Sequence, residues 1–322
     1  MKVKKNMLHK DLQSYYRSIN ALRLIFENKW LLKPFNAITA LITNGKNVKD
    51  LDCSEVYVLS SDGKTKIRAR IYKPKSQQEK LPIMLYIHGG GYISGTPEMA
   101  AGEIKKFIQK RPCVVISPDY RLALKAPYPA AFNDCYDTML WAKNNADQLG
   151  INNDKFIIAG HSAGGGLTAA VTLKARDTKD VNIAFQMPIY PMIDDTQPTD
   201  KSREIYNLTW DNTTNTFGWK QYLRGIKAQG KEVPAYAAPA RNKDYLNFPP
   251  TISFVGTLEP FYKETEQYIN ALKNADIDVK FKIFEDCFHG FEAVASKTSI
   301  GQEGQKFTYD SYAEFYDKYV SL

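Results

Sequence analysis

Cysteine and histidine are scarce in this sequence, and it contains no long apolar run. Four cysteines, Cys53, Cys113, Cys135 and Cys287, are scattered through 322 residues without a C-x-x-C pair, which argues against both a disulfide framework and a zinc site. A reducing cytoplasm is the simplest setting for such a chain. No stretch is apolar for long enough to span a bilayer. The opening "MKVKKNMLHKDLQSYYRSINALRL" has the basic residues of a signal peptide, but charges and amides interrupt any apolar h-region. Neither a secretory leader nor a stable membrane association is expected. Repeats and low-complexity tracts are absent too, which removes solenoids and disordered arms.

What remains is ordinary globular composition, 43% apolar and 24% charged. At this length the chain can bury a large core and needs neither metal nor disulfide to fold. The formal charge of +8 invites a nucleic-acid reading, but the lysines run through the whole chain instead of gathering with aromatics in one stripe. A solvated surface is the expected origin of that charge, and no nucleic-acid partner is expected.

"SEVYVLSSDGKTKIRARIYKP" alternates Val56, Val58 and then Ile67, Ala69, Ile71 around Asp62-Gly63, which predicts an antiparallel hairpin with one buried face. Short apolar runs without alternation follow at 83–87, 113–117, 156–159, 185–190 and 251–255, as suits strands buried on both faces. Segments of helical spacing lie between them at about 98–110, 130–148, 163–176 and 261–274, and "VKFKIF" at 279–284 supplies a last strand. The economical fold is α/β, a largely parallel sheet covered by helices on both sides. Two stretches fall outside the alternation. Residues about 7–48 look helical and amphipathic, with Leu22, Ile25, Phe26, Trp30 and Leu31 on one side. Residues about 198–235 interrupt the sheet and carry Tyr206, Trp210, Phe217, Trp219 and Tyr222. Two separate decorations would explain them, but aromatic-lined pockets and inserted lids favour one cap built from both. The expected division is therefore a cap part in 1–50 and a catalytic domain in 51–322 that carries the insertion.

Gly160-His161-Ser162-Ala163-Gly164 is a G-x-S-x-G, a pattern that chance alone gives in about one chain in ten of this length. Its context raises it. The motif follows the apolar run "FIIA" and leads into "GGLTAAVTLKA", as a strained strand-to-helix turn would, with small residues where side chains would clash. The helix N-terminus also aims free N–H groups at the serine.

A serine needs a base, and only four histidines are available. His9 sits in a lysine-rich N-terminal helix, His161 adjoins the serine and should point away from it, and His88 opens a glycine run where a structural role is expected. His289, in "FEDCFHGFE" beyond the last strand, is the candidate base. For the acid that orients it, Glu259 follows a strand and precedes Pro260, which can open the next helix. Glu264 and Glu266 lie within that helix and are expected to be exposed, while Asp286 precedes His289 by only three residues. Glu259 is preferred, giving the chain order Ser162, Glu259, His289. An oxyanion must also be met by N–H donors, for which Gly90 and Gly91 in "YIHGGGYISG" and Ala163 after the serine are the candidates.

"HGGGY", "SPDYRLALKAPYPAAFND", "GHSAGGG", "LEPF" and "HGF", in this order, resemble the bacterial hormone-sensitive-lipase-like esterases. The resemblance covers roughly residues 55–322. It implies the α/β-hydrolase fold, an oxyanion hole from the HGGG glycines and the residue after the nucleophile, and a two-part helical cap. Three departures stand out. Such esterases usually carry aspartate where this chain has His161 and again where it has Glu259, and they commonly read "RLAPE" against "RLALK" here.

The expectation is a cytoplasmic serine carboxylesterase that acts on small, short-chain acyl esters and uses no cofactor or metal; a homodimer is compatible with it. An amidase or formamidase could use the same triad. A ligand-binding receptor on the same fold is the rival from another class, and the presence of His289 argues against it.

Overall fold

The computed structural model describes residues 1–76, 79–196 and 204–320. Among the described residues there are eight strands: β1 Leu51–Leu59, β2 Lys66–Pro74, β3 Leu81–Ile87, β4 Val114–Pro118, β5 Ile151–His161, β6 Ile183–Ile189, β7 Thr251–Leu258 and β8 Val279–Phe288. The helices are α1 Tyr16–Glu27, α2 Lys29–Thr43, α3 Ala101–Lys110, α4 Ala130–Asn144, α5 Ala146–Leu149, α6 Ala163–Thr178, α7 Asn212–Ala228, α8 Tyr262–Asn274, α9 Phe291–Val294 and α10 Ser299–Tyr319.

The strands make one sheet in the order β1-β2-β4-β3-β5-β6-β7-β8. β2 runs antiparallel to both neighbours, and every pair from β4 to β8 is parallel. The hairpin register pairs Val56 with Ala69 and Val58 with Ile67. Its turn is held by the Asp62 carboxylate, which accepts the N–H groups of Lys64 and Thr65, with Gly63 at φ +70°. Helices cover both faces because the central strands are apolar on both: Ile83, Leu85 and Ile87 pack in one cluster with residues of α4 and α6, whereas Met84 and Tyr86 pack in the other with residues of α3 and α10.

Some segments differ from the pattern read in the sequence. β5 begins at Ile151, ahead of its apolar run, because Ile151 pairs with Leu81 across a register shift. The expected helix over 98–110 opens as a 3-10 turn at Pro97–Ala100, and that over 130–148 breaks into α4 and α5. α10, the longest helix, has no counterpart in that pattern. Gly301 and Gly304 lie inside it and weaken the helical signal, yet a Cβ on Gly304 would come 2.8 Å from Cβ of Glu292, so the glycine is what lets α10 close on α9.

The N-terminal segment and the insertion meet. Val3 donates its N–H to the Tyr206 carbonyl, Tyr206 donates to the Met1 carbonyl, and the Thr209 hydroxyl donates to the Ile19 carbonyl. The start of the inserted stretch, 198–203, lies outside the described residues. The apolar side read over 7–48 does not stay on one face. Asn28 leaves helical geometry and its side chain accepts the Trp30 N–H, ending α1 and capping α2. The two helices are therefore out of phase: Ile25 and Phe26 pack on the core, while Leu22, Trp30 and Leu31 are exposed.

Candidate active site

Ser162 stands between β5 and α6 at φ +59°, ψ −120°, a conformation an L-residue holds only when its surroundings impose it. The two motif glycines are required by contact. A Cβ on Gly160 would lie 2.5 Å from the Gly164 carbonyl oxygen, and one on Gly164 would lie 2.1 Å from that of Ile87 at the end of β3. The backbone of Ser162 is fixed as well, donating to Ile189 O and accepting from the N–H groups of Gly166 and Met192.

The Oγ of Ser162 is 2.9 Å from Nε2 of His289, whose Nδ1 is 2.5 Å from Oε2 of Glu259. With Glu259 accepting at Nδ1, the imidazole presents the Nε2 lone pair to the serine hydroxyl. Glu259 is buried, and its other oxygen accepts the Gly256 N–H at 2.8 Å. Serine, histidine and carboxylate thus come from the ends of β5, β8 and β7, the carboxyl edge of the sheet where ligands bind in such folds.

The competing carboxylates go elsewhere. Asp286 donates its N–H to the Thr257 hydroxyl and its side chain is exposed. Glu266 pairs with Lys263. Glu264 corrects an expectation, since it is buried beneath the β6 end, where Oε1 accepts the N–H groups of Ile193 and Asp194. Burial pushes its carboxyl well above the usual carboxylate range. Helical position alone could not reveal this, because α8 turns that face toward the loop after β6. Pro260 stands two positions before Tyr262, the first residue of α8, instead of opening the helix.

The other histidines are also placed. His9 accepts the Asp11 N–H. His88 is buried, stacks on Tyr120 at 4.2 Å and meets the Gly89 carbonyl through Nδ1. His161 turns away from the serine: its Nδ1 is 2.6 Å from the Tyr86 hydroxyl, which also lies 2.6 Å from Oε2 of Glu103. Burial holds both imidazoles below the ordinary histidine range.

The glycine run after β3 curls beside the serine, with Gly90 at φ +117° and Gly91 at φ +60°. A Cβ on Gly91 would lie 1.8 Å from the Trp210 ring. Among the described residues no protein acceptor meets the N–H groups of Gly90, Gly91 or Ala163, which leaves them available to a developing oxyanion. Asn36 of α2 ties the loop down, donating to Ile93 O while accepting from the Ser94 hydroxyl.

Several neighbours are not singled out by the sequence. Tyr190 and Phe261 pack edge-on against His289 at 4.7 and 5.0 Å, and the Tyr190 hydroxyl donates to Glu292. The signal for Tyr190 was its place right after β6, on the same carboxyl edge. Of the insertion's aromatics, Trp210 reaches the site, 6.5 Å from the His289 ring and 6.1 Å from Phe26. Trp219 instead packs on Tyr92 and Tyr222 in the core. Among the described residues no three His, Cys, Asp or Glu side chains gather to hold a metal ion.

The family model described as the alpha/beta hydrolase fold matches residues 84–293, which contain all three residues of the relay. The chain belongs to the α/β-hydrolase family. This hydrolase is 30% identical over 236 residues to the carboxylesterase NlhH of Mycobacterium tuberculosis, covering 71% of this chain and 72% of NlhH. It is 32% identical over 211 residues to an arylesterase of Saccharolobus solfataricus, covering 65% and 67%. A solved bacterial heroin esterase superposes with a TM-score of 0.85 at 25% identity, covering 97% of this chain and 99% of the esterase.

Proposed function

We propose that this hydrolase is a serine carboxylesterase that cleaves small, short-chain acyl esters through an acyl-enzyme. The observation that carries this reading is the continuous relay from Ser162 Oγ through His289 to Glu259, beside N–H groups with no protein acceptor. The named esterases among its relatives support the same class of reaction.

In this reading His289 takes the Ser162 proton as Oγ bonds to the ester carbonyl carbon. The carbonyl oxygen becomes an oxyanion that receives the N–H groups of Gly90, Gly91 and Ala163. The imidazolium, held by the Glu259 carboxylate, gives its proton to the departing alcohol oxygen as the C–O bond breaks. Water then adds to the acyl carbon, its proton passing to His289 and back to Oγ, and the carboxylic acid leaves. Residues 1–50 and the insertion form the cap over this site, with Trp210 as its inner wall. The substrate is a free small molecule, no nucleic acid takes part, and the cytoplasm is the compartment.

Ser162→Ala tests this. It should remove nearly all turnover of p-nitrophenyl acetate and all labelling by a fluorophosphonate probe. A variant that keeps most of either would overturn the nucleophile assignment.

A further inference from the structure

The net charge is not spread as evenly as the lysines are. Residues 1–50 hold ten of the 43 Lys and Arg but only three of the 35 Asp and Glu, so this segment carries +7 of the chain's +8. The segment is about a sixth of the chain but holds nearly a quarter of the bases and under a tenth of the acids, so both contribute to the excess. On the helices themselves Arg17, Lys29 and Lys33 are exposed, and none of them forms an ion pair among the described residues.

The same segment carries the exposed apolar surface. α2 is apolar on its outer side as well as its inner one, where Phe35 packs on the core. Its inner face is held by buried Leu32, by Asn36 on the glycine loop and by the Thr43 hydroxyl against that of Thr96. Its outer face shows Trp30, Leu31, Ile38, Leu41 and Ile42, with Trp30 73% and Leu41 84% exposed, and Leu24 of α1 is exposed as well. Exposed apolar side chains gathered on neighbouring turns mark an interaction surface.

We propose that α1 and α2 form a docking face that binds reversibly to an anionic lipid surface. The combination of a broad apolar face, a tryptophan and flanking cations with almost no acids is what an interfacial helix needs. A second copy fits less well, because a two-fold contact would bring together two helix pairs that each carry four bases and one acid. No spanning helix is involved; none of the described helices is long and apolar enough to cross a membrane. Docking itself does not rest on the catalytic reading. If that reading holds, α1 also touches the site through Phe26 and Trp210, so the face would bring the pocket to where apolar esters partition.

The test uses the full chain with vesicles of phosphatidylcholine alone or mixed equally with phosphatidylglycerol, followed by pelleting and by tryptophan emission. At low ionic strength at least about tenfold more protein should pellet with the anionic vesicles, and molar salt should reverse this. Leu41→Glu with Ile42→Glu should lower binding at least about tenfold, and Lys29→Glu with Lys33→Glu should abolish the preference for anionic lipid. Both should keep the melting temperature and the p-nitrophenyl acetate rate, since these side chains face outward. Wild-type emission should shift to the blue on anionic vesicles, and Trp30→Phe should lose that shift. Equal pelleting with both lipids, full binding by the Leu41/Ile42 variant, or a solution dimer that this variant dissociates would each overturn the proposal, the last by making the face a self-interface.

Discussion

Glu259 is divided between two partners, with Oε2 at 2.5 Å from Nδ1 of His289 and Oε1 at 2.8 Å from the Gly256 N–H. The backbone contact fixes the carboxylate's angle, so the longer glutamate side chain can stand where an aspartate is usual. Glu259→Gln should keep much of that geometry but lose the charge that stabilises the imidazolium, slowing turnover of p-nitrophenyl acetate by at least about a hundredfold. Adding it to His289→Ala should cost little more than His289→Ala alone. Glu264→Gln should leave kcat within a fewfold of wild type, because that carboxyl is buried under β6 on two backbone N–H groups and an amide oxygen can accept the same two. Reversed effects would move the triad to Glu264.

Glu292 sets a pH dependence of stability. Burial outweighs the hydrogen bond from Tyr190 and pushes its carboxyl up to about 8 from 4.5. Between those values the folded state keeps a proton that the unfolded chain has lost. Stability should therefore fall as pH rises from about 4.5 to about 8, with no further loss from this group above that. Glu292→Gln removes the group, so its melting temperature relative to wild type should climb across that window and level off. A difference that stays flat from pH 5 to 8 would refute the assignment.

The departure at His161 has a structural partner in Glu103. Tyr86 has one hydroxyl proton between Nδ1 of His161 and Oε2 of Glu103. When it goes to Glu103, the imidazole N–H can donate to the phenol oxygen and every group is satisfied. Restoring the aspartate usual in similar esterases would leave two carboxylates competing for that proton. His161→Asp should lower the melting temperature at pH 8 by at least about 4 °C, and adding Glu103→Gln should recover most of the loss. No recovery in the double variant would show that the two sites are not coupled.

The elbow was legible in the sequence because its chemistry leaves local marks: a buried run, small residues at fixed spacing, then a helix. Glu259 and His289 are candidates in the sequence because both closely follow recognisable strands, and the fold brings them within hydrogen-bond reach of each other and of Ser162. The burial of Glu264 leaves no local mark, because its environment comes from the loop after β6, some 70 residues away in sequence, and helical periodicity cannot report that. The N-terminal apolar side differs for a local reason, the break at Asn28, which shifts the phase between two helices that read as one in the sequence. α10 is hidden in the sequence because Gly301 and Gly304, needed for close packing, imitate a helix breaker.

In the proposed reading Trp210 bounds the space open to the acyl chain. Trp210 lies over Gly91, where an added Cβ would fall 1.8 Å from its ring, and beside His289, so it stands next to the expected oxyanion position. An acyl chain gains up to about 0.8 kcal/mol for each methylene it buries but loses more where a methylene strikes a fixed ring. Wild-type kcat/KM on p-nitrophenyl esters should peak from acetyl to butyryl and fall steeply by octanoyl. Trp210→Ala should raise the octanoyl-to-acetyl ratio by at least about tenfold by clearing the wall. Deleting residues 1–45 removes Phe26 from behind that ring, along with the Asn36 contacts to the glycine loop, and should flatten the profile while promoting aggregation. Gly91→Ala works in the opposite sense, forcing the loop and Trp210 apart at a backbone position of φ +60°, and should cost activity on every chain length alike. A wild-type enzyme that prefers decanoyl esters, or a Trp210→Ala profile unchanged from wild type, would show that this ring does not limit the acyl site.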